Sequence, residues 1–216
     1  MKISNYFINE IEYIQNDLLR NIVIDVLDNS PECIVHIPAS SSGKYHPKYS
    51  LGEGGLMRHI IASVGIANSL IKTDIFKNIV FGTNGKDTFD YFGISKIYDI
   101  YSDIAYASLI LHDCCKPDNT VNHNTKFEHP IIAANLFYEI VENYKNESNK
   151  DYLNQITPIV YNCIASHMGE WNVSKYKNDV VLPKPKNGIE QFVHLCDYLA
   201  SRKFLIFDFD IYNESR

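Results

Sequence analysis

A histidine and an aspartate stand side by side at His112-Asp113, at the end of an apolar run and just ahead of Cys114-Cys115-Lys116-Pro117. Neutral imidazole nitrogen and carboxylate oxygen are common ligands of borderline and hard divalent cations, and adjacent ligands can converge on one ion near a helix end. His59 lies upstream, and His129, His167 and Asp197 downstream, each inside an apolar, helix-like segment. Five separate segments therefore each offer a ligand. Six ligands exceed what one ion needs from protein, so two metals bridged by Asp113 is the economical arrangement. Such a centre lowers the pKa of a bound water and clamps the attacking and leaving oxygens of a phosphoryl transfer. Hydroxide attack at phosphorus is the chemistry this set could do.

The elements that must position these groups read as helices. Ile3, Phe7, Ile11, Ile14, Leu18, Ile22 and Val26 recur at helical spacing, which predicts one or two amphipathic helices over residues 3 to 28, ended by Asn29-Ser30-Pro31. Residues 38 to 55 are rich in Ser, Gly and Pro and read as a loop. Helical spacing then runs from Leu56 to about Ile75, with His59 in the first turn. A second loop covers 81 to 93. A third helix runs from Ile94 to His112 and stops because Pro117 disfavours helical backbone at Lys116. Further helices are expected over about 128 to 144, with His129 at the start, and 151 to 168, with His167 in the last turn before Gly169. The last, from Gly188 to about Phe207, carries His194 and Asp197 on one face. Runs such as Cys33 to Ile37 and Val180 to Leu182 are too short for a sheet-based core. The expected class is all-α, a helical bundle with the metal site in its core.

Composition narrows the function classes. The 216 residues suit one domain with a full core, and 45% hydrophobic against 21% charged residues is a globular balance. A net charge of −6 gives no long basic groove for nucleic acid, so an anionic substrate has to be held locally, which bound cations can do. Cys33, Cys114, Cys115, Cys163 and Cys196 are odd in number and show no C-x-x-C pair, which fits reduced core residues in a cytoplasmic protein. Neither a signal peptide nor an 18-residue apolar span is present, so no membrane partner is expected.

The order His, His-Asp, Asp resembles the HD-domain metal-dependent phosphohydrolase superfamily over roughly residues 38 to 207. The resemblance is carried by Gly54-Gly55-Leu56-Met57-Arg58-His59, by Leu111-His112-Asp113-Cys114-Cys115-Lys116, and by His194-Leu195-Cys196-Asp197-Tyr198-Leu199-Ala200-Ser201. It implies His59, His112, Asp113 and Asp197 as ligands of a first metal. His129 and His167 match the additional histidines of binuclear members, with Asp113 as the bridge. Mn, Fe, Mg, Ni and Co all accept this set. The resemblance also sets domain limits: an N-terminal helical extension over 1–30, the HD domain over 31–207 and a tail over 208–216.

Substrate groups follow from the same frame. Lys116, three residues after the pair, resembles a lysine that contacts substrate phosphate or the metal-bound water, where an ammonium offsets developing negative charge; it also reads as a helix-end lysine favoured by the dipole. Ser40-Ser41-Ser42-Gly43-Lys44-Tyr45-His46-Pro47 resembles the loop of HD proteins similar to a 3′-to-5′ exoribonuclease, with Lys44 and His46 as phosphate donors. Arg58 stands where many relatives carry an acidic or neutral residue, and reads as added phosphate affinity or as a solvent-facing side chain. Trp171 sits at the mouth of the expected site, stacking on a base or anchoring the 170–186 loop. His194 reads as a hydrogen-bonded core residue, a support for a ligand or a ligand; His36 and His123 have no spacing that ties them to the cluster. Arg202 and Lys203 leave the ligand face, and Arg202 reaches substrate only from the rim.

The expected function is metal-dependent hydrolysis of a phosphate ester of a nucleotide or short oligonucleotide, in a chain that could form oligomers. A di-iron HD-type oxygenase and a non-catalytic nucleotide-binding module use the same ligand order and are the alternatives.

Overall fold

The computed structural model describes residues 1–40, 43, 46–82, 94–117, 125–174 and 180–209, with the backbone alone for 94–96. Among them are eight α-helices: α1 (Ile8–Ile11), α2 (Asp17–Asp28), α3 (Gly55–Ile71), α4 (Asp74–Phe81), α5 (Ile94–Leu111), α6 (His129–Tyr144), α7 (Lys150–Ser166) and α8 (Gly188–Ala200). Short 3-10 turns join them, and the only extended pairing among the described residues is two isolated bridges, Pro117 with Thr125 and Val173 with Val181. The all-α expectation holds. No described helix is long and apolar enough to cross a membrane.

α5 is the axis of the bundle, in contact with α2, α3, α7 and α8. Its second half is enclosed, with Ile104, Ala105, Ala107, Leu109, Ile110 and Leu111 fully buried and Asp103 and Ser108 the polar residues buried among them. α6 packs on α7 and α2, while α8 bridges α3, α4, α5 and α7. The N-terminal segment shares this core: Phe7, Ile14, Leu19, Ile22, Val23, Val26 and Leu27 are fully buried in the same cluster as the later helices. Each such side chain contributes about 1.5–3 kcal/mol of burial free energy.

Several boundaries differ from expectation, each for a local reason. The helical pattern of residues 3–28 breaks at 12–16, because the Asp103 carboxylate accepts both Gln15 N–H and Asn16 N–H at 2.8 Å and Asn16 then caps α2 through Leu19 N–H. The expected helix over 56–75 ends at Ile71. Thr73 caps a new helix there, α4, which extends to Phe81. α5 ends at Leu111, ahead of the position Pro117 requires, and Cys114 N–H and Lys116 N–H turn back onto Leu111 and Asp113 carbonyls. The last helix ends at Ala200 and not at Phe207. Ser201 donates its hydroxyl to Tyr198 O and its N–H to Asp197 and Tyr198 carbonyls, which closes the helix, and Phe204 and Ile206 beyond it are 75% and 93% exposed. Of the five cysteines, four are buried as expected; Cys33 is only half-buried, in a 3-10 turn over Glu32–Val35.

Candidate metal centre

The ligand-bearing residues occupy ends of helices that meet at one level of the bundle. His59 lies in the second turn of α3, His112 and Asp113 directly follow α5, His129 opens α6, His167 caps the C-terminus of α7, and Asp197 sits in the last turn of α8. The start of α3 is set by Gly54-Gly55. Gly54 is left-handed at φ +69°, and a Cβ on Gly55 would strike the Ser50 carbonyl, so only glycine lets the helix begin close against that loop. After His167, Gly169 at φ +57° turns the chain away, and a Cβ there would collide with the His194 ring.

All six side chains converge. His59 Nε2 lies 2.9 Å from Asp197 Oδ1 and 3.4 Å from His112 Nε2, with Asp113 Oδ2 3.5 Å from His112 and 3.7 Å from His59. On the other side, Asp113 Oδ1 is 2.9 Å from His129 Nε2 and 3.7 Å from His167 Nε2, and the two imidazoles are 3.3 Å apart. Ligands about 2.1 Å from a shared ion stand roughly 3.0–3.5 Å from one another, so both groups have the spacing of a divalent-cation site. Asp113 faces each group with a different oxygen.

Hydrogen bonding fixes the tautomers. His112, His129 and His167 each place Nδ1 2.6–2.8 Å from the carbonyl three residues earlier, on Leu109, Lys126 and Ile164. A carbonyl only accepts, so each Nδ1 carries the proton and each Nε2 presents a lone pair to the cluster when the ring is neutral. Buried lone pairs pointed at one another and at carboxylates need a positive charge between them. His59 Nδ1 and Asp113 Oδ1 are buried without a hydrogen-bond partner among the described residues. Burial alone would raise the Asp113 pKa, yet Lys116, His112 and His129 hold it well below the carboxylate range; His112 and His59 do the same for Asp197. Burial pushes His167 down to about 3, with His112 adding to the effect, so His167 stays neutral. At His112 burial opposes charge, but Asp113 and Asp197 outweigh it and raise the pKa: the carboxylates draw a positive charge to Nε2, the demand a metal ion meets. The donor set and its orphaned atoms fit divalent cations.

Asp197 marks the opening, with an 18% exposed side chain against 1% or less for the other five clustered residues. Two of the expected substrate groups lie at this level. Lys116 Nζ is 2.6 Å from Asp113 Oδ2, and the His46 ring stands edge-on to His59 at 5.7 Å, its Nδ1 buried and without a partner among the described residues. Burial, then the nearby His59 and Lys116, push His46 down to about 3, which keeps it neutral. Arg58 is placed otherwise: its guanidinium donates to the carbonyls of Tyr49, Leu51 and Glu53 and clamps the loop ahead of α3, so it is not a free cation for phosphate. Lys44, Ser41, Ser42 and Tyr45 lie outside the described residues, as does His123. His36 is remote from the cluster, beside Glu53 at 3.8 Å. His194 is a support: its ring nitrogens contact His167 O at 2.7 Å and Glu170 at 3.1 Å.

Two features escaped the sequence. Tyr49 donates its hydroxyl to Ala200 O and so ties the loop ahead of α3 to the end of α8. Trp171 stacks on Tyr198, with Arg202 against both rings. The i, i+4 spacing of His194 and Tyr198 on α8, with Arg202 four residues on and just past its end, was the signal available for that group. Comparison of the chain with family models, curated proteins and solved structures finds no match in any of the three.

Proposed function

We propose that the chain is a metal-dependent phosphohydrolase of the HD type, acting on a phosphate ester of a nucleotide or short oligonucleotide. The observation that carries this reading is Asp113, whose Oδ2 faces His59 and His112 and whose Oδ1 faces His129 and His167, with the spacing of cation sites. His59, His112, Asp113 and Asp197 would hold one cation, and His129, His167 and Asp113 a second. Ions held there would supply Lewis-acid charge to a phosphoryl oxygen and lower the pKa of a water.

The chain's own groups do the rest. Lys116 Nζ stays beside Asp113 Oδ2 with its side chain 13% exposed, where its ammonium meets the charge that develops on phosphate oxygens. His46 supplies a neutral imidazole for a hydrogen bond to the same anion. The i−3 carbonyls orient the rings through Nδ1–H, and burial of five of the six ligands excludes bulk water from all but the Asp197 side. A cationic ammonium beside the bridging carboxylate suits an anionic substrate, which favours phosphoryl transfer over oxygen chemistry.

The test is hydrolysis of bis(p-nitrophenyl) phosphate and of nucleotides by protein loaded with Mn, Fe, Mg, Ni or Co in turn. Activity is expected with at least one metal, is lost in Asp113→Ala, and falls about 10²–10³-fold in Lys116→Met with metal content retained. Phosphoesterase activity that persists in Asp113→Ala, or none with any metal, sinks the reading.

A further inference from the structure

Beside the ligand cluster lies a group of side chains that holding a cation does not require. Past Gly169 the chain lays the indole of Trp171 on the ring of Tyr198, 5.5 Å between centroids and 11° from parallel. Arg202, just past the end of α8, holds its guanidinium 4.2 Å from the Tyr198 ring centre and 5.4 Å from that of Trp171. His194, one turn before Tyr198, is fixed between His167 O and Glu170. Around Tyr198 and His194 opens a cleft of about 350 Å³, lined also by Ile79, Glu170, Gln191 and Leu195.

We propose that this cleft is a nucleobase pocket, seating the base of a nucleoside phosphate whose phosphate reaches the histidine and aspartate cluster. Its walls are flat rings and aliphatic side chains, which suit a planar heterocycle, and its volume lies in the range of small-ligand sites. Its rim carries edge-reading groups: the exposed amide of Gln191 and the Glu170 carboxylate, 62% exposed and held from one side by His194. Arg202 makes no ion pair among the described residues; its Nε and Nη2 donate to Tyr198 O and Ser201 Oγ, which holds the guanidinium against the rings. The indole is 43% exposed, whereas a packing anchor would bury it. Position completes the argument: Tyr198 directly follows the ligand Asp197, and Trp171 follows the ligand His167 by four residues. His194 lines the cleft and holds its Nδ1 2.7 Å from the carbonyl of His167, so the cleft adjoins the cluster through this residue. The phosphate half of this inference rests on the phosphohydrolase reading; the base half does not.

Trp171 is the chain's single tryptophan, so its fluorescence reports on the pocket without turnover. The 216-residue chain is titrated with AMP, GMP, CMP and UMP, and with ribose 5-phosphate and inorganic phosphate, in chelator and in Mn. Saturable quenching by at least one nucleotide and none by the two base-free probes is expected. Tyr198→Leu should raise the Kd about tenfold or more, and Gln191→Ala, an exposed change that leaves the core intact, should raise it less. Absence of quenching by all four nucleotides, equal quenching by ribose 5-phosphate, or an unchanged Kd in both variants overturns the pocket. Hydrolysis of bis(p-nitrophenyl) phosphate separates the two ideas. If that ester is cleaved but no nucleotide quenches, the pocket falls and the phosphohydrolase stands; nucleotide binding with no hydrolysis of any ester gives the reverse.

Discussion

Asp113 is where the chemistry of this molecule concentrates. It is 1% exposed, contacts four imidazoles within 3.7 Å and pairs with Lys116, so its charge is shared over two histidine groups. That division makes metal stoichiometry diagnostic. Wild-type protein should carry two divalent ions by elemental analysis; His129→Ala should lose the ion on its own side and keep the other, whereas Asp113→Ala should weaken both. One ion in the wild type, or equal losses in the two variants, would show that Asp113 is no bridge. The six clustered residues were legible in the sequence because their types are rare inside apolar helices and each sits where a helix begins or ends. Arg58 was not. Its fate depends on the Tyr49, Leu51 and Glu53 carbonyls, which a loop with no periodic pattern brings round to it. The hydrogen bonds from each Nδ1–H to the i−3 carbonyl were equally hidden, since they follow from the tight turns at His112, His129 and His167.

At the scale of elements, the centre depends on where helices start and stop. α8 illustrates this, because Asp197 is delivered by a helix whose first turn is built from polar side chains. Asn187 Oδ1 accepts Glu190 N–H at 3.1 Å, Asn187 Nδ2 donates to Glu190 Oε1 at 2.7 Å, and Lys186 N–H donates to Glu190 Oε2 at 2.7 Å. Asn187→Ala removes the cap and leaves the buried Glu190 short of a donor. It should cost about 1 kcal/mol, or about 2–4 °C in Tm for a chain of this size, measured by thermal melting. A melt identical to wild type would mean that the α8 start is held by packing alone. The helix class and count of ligand-bearing segments were legible from periodicity, yet the breaks at 12–16 and 72–73 and the stop at Ala200 were not. Each comes from a side chain that competes for backbone hydrogen bonds, Asp103, Thr73 and Ser201, and a hydrophobic pattern does not register such competition. Apolar spacing that continues through Phe204 to Phe207 drew the last helix too long.

Across the whole molecule, two couplings between distant segments contribute to stability. α2 is joined to α6 by Tyr144, whose hydroxyl donates to Asp25 Oδ2 at 2.5 Å; burial first, then this bond and the Asp25 charge, push Tyr144 up to about 12. A raised folded-state pKa means the contribution is fully present below the unfolded tyrosine value near 10 and is lost as pH climbs from there through about 12. Tyr144→Phe should therefore lose stability at neutral pH and show a shallower alkaline decline; equal slopes from pH 10 to 12 would remove Tyr144 from the account. The second coupling is the cluster itself. Five segments far apart in sequence bring carboxylates and imidazole lone pairs into one buried volume, and the unfolded chain has no such site, so cation binding free energy adds to folding free energy. At a free metal concentration 100 times Kd, each ion adds about 2.7 kcal/mol, or about 5–10 °C in Tm. Stripping the protein with a chelator should lower Tm by this amount per ion, and returning Mn or another fitting cation should restore it. Asp113→Ala, with both sites weakened, should show a smaller metal-dependent shift than wild type. Were wild-type protein equally indifferent to chelator and to every cation offered, the cluster would be a buried hydrogen-bonded network of the apoprotein, and the phosphohydrolase reading would lose its foundation.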